Sequence, residues 1–169
     1  RKAYNEVAKA YHEKRQDPQK GAWNDFLEVP AMESLLKTKV QGRSVLDLGC
    51  GTGLLTQPLA DWGAEACGVD QSEKMIEIAK ENSNLEFQVA NALELPFANA
   101  SFDLVASSLV LHYVKDLGPV FLEASRVLKP NGLFVFSIHH PVQESFERDK
   151  EKGDGKPILQ PYFNNEPYY

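Results

Sequence analysis

The chain has 169 residues, 43% of them hydrophobic and 25% charged, with a net charge of -6. That suffices for one domain with a real core, rules against wholesale disorder, and disfavours a broad nucleic-acid surface, which needs clustered Lys and Arg. No apolar run approaches a membrane span, no signal peptide opens the sequence, and Cys50 and Cys67 lack metal-ligand spacing. The expectation is a cytoplasmic protein in a reducing compartment, with no metal. The start at Arg1 rather than Met reads as a trimmed or incompletely represented chain.

In "YNEVAKAYHEKR", Tyr4, Val7, Ala8 and Tyr11 recur on one helical face. "AWNDFLEVPAMESLLKT", interrupted by Pro30, predicts a bent helix or two short ones, so about residues 1–40 form an N-terminal helical cap. "SVLDL" reads as a short buried strand. "LLTQPLADW" follows as a helix closed by Gly63, with Pro58 tolerable near its first turn. "EACGVD" is a second strand, and Ser72 caps a helix over "EKMIEIAKEN". "LEFQVA" and the nearly continuous apolar run "FDLVASSLVL" are strands three and four. A helix over "GPVFLEASRVL", a turn at "KPNG" and a fifth strand, "LFVFSIHH", complete the rhythm. Strands alternating with helices predict an α/β fold, a doubly wound, mainly parallel sheet with helices on both faces. Residues 142–169 break that rhythm and read as an irregular, lid-like or truncated segment after a 1–141 domain, with no pair of strands evident.

"VLDLGCGTG" places Gly49, Gly51 and Gly53 at the end of the first strand, where such folds bind ligands. Glycine there permits a sharp turn and close approach to a ligand. The second strand ends in Asp70, whose carboxylate can accept hydrogen bonds from both hydroxyls of a ribose, so the pattern points to a nucleoside. Dinucleotide sites use G-x-G-x-x-G to set a helix N-terminus on a pyrophosphate. The spacing here is G-x-G-x-G, and Asp47 would repel a diphosphate but welcome an ammonium.

These features, with "GVDQSEKMIEIAK", "NALELPFANASFDLV" and "LKPNGLFVFS", resemble the Rossmann-like S-adenosylmethionine-dependent methyltransferases, in particular the small-molecule "type 11" group. The resemblance covers residues 4 to 141. It implies transfer of the cofactor's methyl group to an oxygen, nitrogen or carbon of a small-molecule acceptor, leaving S-adenosylhomocysteine. It also implies that Gly49, Cys50, Gly51 and Gly53 line the cofactor through backbone atoms, with Asp47 near its amino end, directly or through water. Asp70 would hold the ribose diol, with Gln71 and Met75 near ribose and adenine. Asn91, Ala92 and Leu93 would frame the adenine edge, Ser107 and Ser108 would face the methionine moiety, and Tyr11 would cap the cofactor. The family usually carries Asp where this chain has Asn91, whose carbonyl oxygen accepts the same bond. It also usually ends its sheet with an antiparallel hairpin, which is not evident here.

For a hydroxyl or ammonium acceptor a base is needed, and histidine is the side chain poised near neutral pH. His112 and His140 follow strands four and five; His140 precedes Pro141, which holds it extended, and is favoured over His139 as inward-facing. Two other readings stand beside the enzyme: a binding module that holds the cofactor without turnover, and an NAD-dependent oxidoreductase.

Overall fold

The computed structural model describes residues 2–16, 24–139, 146–148 and 157–159. It divides into two compact units, Arg1–Ser137 and Ile138–Tyr169. In the first, helices α1 (Lys2–Gln16) and α2 (Val29–Leu36) precede strand β1 (Ser44–Leu48). Then follow α3 (Thr56–Asp61), β2 (Glu65–Asp70), α4 (Glu73–Asn82), β3 (Glu86–Val89), β4 (Phe102–Ser108), α5 (Leu117–Val127) and β5 (Leu128–Ser137).

The five strands form one parallel sheet in the order β3-β2-β1-β4-β5. Strand order reverses beside β1, which puts the switch point between β1 and β4. The central strands read as aliphatic runs because both faces are covered. Alternation in β1 sends Leu46 and Leu48 to one side, where they pack with Val105 and with Val120 and Val127 of α5. Val45 faces the other side, with Leu104 and Ala106, against Met32 and Leu36 of α2 and Leu59 of α3. The doubly wound sheet expected from the alternation is the fold observed.

Local chemistry sets the boundaries. Ser72 caps α4 by accepting from the Met75 N–H at 3.2 Å. Gly63, at φ +90°, ends α3 as a left-handed glycine, and its N–H reaches the Ala60 carbonyl. Pro58 lies in the first turn of α3, where the missing N–H costs little. The region around Pro30 resolves into a π-helical turn over Asn24–Glu28 and then α2, with the proline in the first turn of α2.

Two details differ from the sequence reading. The "KPNG" turn lies inside β5: Leu128 already pairs with Phe102, and regular pairing resumes only at Leu104 with Leu133. Asn131, at φ +64°, supplies the left-handed residue of that bulge. In the second unit, β6 (Phe146–Arg148) and β7 (Pro157–Leu159) pair antiparallel, where no strands were evident from the sequence. Three residues are too few to show a period. His140 lies outside the described residues.

Candidate functional site at the carboxyl edge of the sheet

The turn after β1 is built from left-handed glycines: Gly49 at φ +78°, Gly51 at +54° and Gly53 at +83°. Each has a different reason to lack a side chain. A Cβ on Gly49 would lie 2.6 Å from Cγ1 of Val110, in the segment after β4. One on Gly53 would lie 2.9 Å from the Phe87 ring. One on Gly51 would meet no protein atom within 4 Å, so this glycine faces open space. The two outer glycines serve packing, and the middle one borders open space.

The loop's N–H groups are committed to the protein. Gly49 and Cys50 both donate to the Val69 carbonyl, at 2.8 and 2.9 Å, Gly51 donates to Oδ2 of Asp70 at 3.0 Å, and Gly53 donates to the Cys50 carbonyl. Asp70 Oδ1 accepts from the Ser72 N–H at 2.8 Å. The carboxylate at the end of β2 thus staples the glycine loop to the start of α4. Burial raises its pKa, opposed by these two N–H groups. Two N–H bonds leave acceptor capacity on a carboxylate for a diol.

Asp47 is buried, and the Thr56 hydroxyl at the start of α3 donates to its Oδ2 at 2.6 Å. Burial pushes its carboxyl up to about 7; the Thr56 bond pulls it down, and the charges of Asp70 and Glu28 add to the rise. The folded state therefore holds a proton that the unfolded chain has already lost between about pH 4 and pH 7, so stability falls as pH rises through that window. Asp47→Asn is expected to raise stability by about 1–3 kcal/mol at pH 8, with the gain fading towards pH 4. Urea unfolding at the two pH values checks it, and an equal effect at both would refute the assignment.

Around this centre the other expected residues fall as follows. Gln71 is exposed and Met75 is buried in the first turn of α4. Cys50 is buried, and burial raises its thiol, so it is no nucleophile here. Ser107 is fully buried and donates to the Leu48 carbonyl at 2.8 Å, tying β4 to β1. Ser108 donates instead to Oε1 of Glu28 at 2.6 Å. Asn91 is exposed, and its Oδ1 accepts from the Leu93 N–H at 3.1 Å, shaping the turn that carries the half-buried Ala92 and the exposed Leu93. His112 is half-buried in a 3-10 turn, its ring 4.1 Å from that of Tyr113. Asp103 lies at the opposite edge, where Lys129 and the Ser44 N–H hold its carboxyl below the usual range.

The loop from Asn91 to Asn99 is anchored from α5. Arg126 donates to the carbonyls of Leu95 and Phe97, to Oδ1 of Asn99 and to both carboxylate oxygens of Glu123. Glu123 also accepts from the Leu95 N–H at 2.6 Å, and Arg126 holds its carboxyl down at about 2.

Helix α1 crosses the same edge. Asn5 Oδ1 accepts from the Ser72 hydroxyl at 2.6 Å, His12 Nδ1 lies 2.9 Å from Oγ1 of Thr52, and the Tyr4 and Tyr113 rings meet edge-on at 5.5 Å. Val7, expected on the packed face, is 48% exposed, because the working face runs through Asn5, Ala8 and His12. Counting apolar residues alone missed those two polar hooks. It also missed Glu28, which has no local pattern to mark it.

Residues 46–136 match the methyltransferase domain family. The chain belongs to it. The solved structure of an S-adenosylmethionine-dependent methyltransferase from Mesorhizobium loti is similar, with 34% identity, a TM-score of 0.67, and 80% of this chain and 65% of that one covered. A ubiquinone biosynthesis O-methyltransferase of Azorhizobium caulinodans is 33% identical over 63% of this chain and 44% of its own length. An uncharacterized protein of Haemophilus influenzae is 33% identical over 79% of this chain and 57% of its own. The chain thus spans about half the length of these curated relatives. The methyltransferase domain is of the S-adenosylmethionine-dependent, Rossmann-like kind. Among the described residues no group of His, Cys, Asp and Glu could hold a metal, and no helix is long and apolar enough to cross a membrane.

Proposed function

We propose that the protein transfers a methyl group from S-adenosylmethionine to an oxygen, nitrogen or carbon atom of a small-molecule acceptor. The observation that carries this reading is the pairing of Asp70 with Gly51: one carboxylate fixes the loop while the glycine leaves the approach to it clear. Bound cofactor supplies an electrophilic methyl group, and the protein supplies alignment and exclusion of water. In this reading Asp70 holds the ribose, with Gln71 and Met75 beside it, and the backbone of Gly49–Gly51 and Gly53 faces the methionine portion. Asn91, Ala92 and Leu93 frame the adenine, Asp47 lies near the amino end, Ser107 and Ser108 face the methionine moiety, and Tyr11 caps the cofactor. His112 or His140 takes the proton of a hydroxyl or ammonium acceptor.

The commitment of the loop N–H groups to Val69 and Asp70 supports this reading over a nicotinamide enzyme, since a pyrophosphate needs free donors at the turn. Thermal shifts with S-adenosylhomocysteine and with NAD test it: stabilisation by the first alone is expected, and stabilisation by NAD alone would overturn it. Methyl transfer from labelled cofactor across phenols, carboxylic acids and amines separates the enzyme from a silent binding module.

A further inference from the structure

Glu28 ends the π-helical turn and stands at the N-cap position of α2. A carboxylate there ordinarily bonds the N–H groups of its own helix and gains from the helix dipole. Glu28 makes no such cap bond. Its Oε1 instead accepts from the hydroxyls of Ser108 and Ser137, both at 2.6 Å, at the carboxyl ends of β4 and β5. A π-turn rotates the following side chain relative to regular helix and recurs at functional sites.

The receiving end is built for this carboxylate. Ser137 Oγ also accepts from the Leu109 N–H at 3.0 Å, and Leu109 holds a left-handed φ of +53° that a leucine rarely adopts. Burial is the main cause of the raised pKa values of Asp47 on β1 and Tyr11 on α1; Arg15 pulls that of Tyr11 down, and the charge of Glu28 adds a smaller rise to each. Among the described residues no Lys or Arg forms an ion pair with it. Both hydroxyl bonds fall on Oε1, so a carboxylate held at the carboxyl edge of the sheet keeps acceptor capacity for a cationic group.

Resting on the function proposed above, we propose that Glu28 is the specificity-determining carboxylate that favours the cationic sulfonium form of the cofactor over its neutral thioether product. S-adenosylmethionine and S-adenosylhomocysteine share adenosine, ammonium and carboxylate and differ in the methyl group with its positive charge. A carboxylate set beside that position would separate them by charge, and its hold would lapse once the methyl group has left.

Calorimetric titration of the full chain with each ligand tests this, alongside thermal unfolding of every variant. Glu28→Gln is expected to weaken S-adenosylmethionine binding about tenfold and S-adenosylhomocysteine binding less than about twofold. Glu28→Asp, which keeps the charge, should retain most of the preference. Ser137→Ala leaves the carboxylate but frees it, and should lower the preference in the same direction by about threefold; it carries the test if Glu28→Gln does not fold. Equal weakening of both ligands, or of neither, overturns the role of Glu28. Failure of the unaltered chain to bind either ligand overturns the methyltransferase reading itself.

Discussion

Gly49→Ala is expected to destabilise the fold by about 2–5 kcal/mol, the sum of a left-handed alanine and a side chain driven into Val110. The clash cannot relax cheaply, because Val110 follows the strained Leu109 and leads into the 3-10 turn with the fully buried Leu111. Gly51→Ala is the matched control. It has a similar positive φ but open space for the methyl, so its cost should be only about 1–2 kcal/mol. Urea unfolding of both variants reads the difference, and equal losses would mean that the packing of Gly49 is not what requires glycine. Gly51→Ala should reveal itself in weakened S-adenosylhomocysteine binding, since its methyl group occupies the approach.

Asp70→Ala is expected to weaken cofactor binding by at least about tenfold, because each hydrogen bond to a charged acceptor contributes roughly 1.5–3 kcal/mol. The structure adds a second consequence. The same carboxylate satisfies the N–H groups of Gly51 and Ser72, so the variant leaves two donors without their partner and should lose stability by about 1–3 kcal/mol. Calorimetry with S-adenosylhomocysteine, on protein verified as folded at the working temperature, separates the two effects. Unchanged affinity would place the ribose elsewhere.

The parallel sheet was legible in the sequence because its order is written locally. β1 and β4 are aliphatic runs, α4 carries its own cap in Ser72, and α3 ends on the glycine at which it stops. The glycine loop and Asp70 were legible for a related reason: a turn that forbids side chains and a strand that ends in an acid leave their mark within a few residues. Glu28 could not be read this way. Its partners are 80 and 109 positions away, and nothing near Glu28 in "NDFLEVPAM" distinguishes its carboxylate from a solvated one. Asn5 and His12 escaped for a different reason, since a periodicity search scores apolar residues and these two bind through oxygen and nitrogen. The start of β5 was hidden because its first pair is separated from the rest by a bulge.

Arg126 uses all five of its N–H donors on Glu123 and on the segment that carries Leu95, Phe97 and Asn99. The planar fork is what allows this; an ammonium has three donors on a single atom. If the proposed function holds and this segment frames the adenine, association does not bear the conformational entropy of fixing it, which would otherwise run to about 1–2 kcal/mol for each residue. The heat-capacity change of binding should then reflect only the surface that ligand and protein cover between them, with no component from coupled folding of that loop.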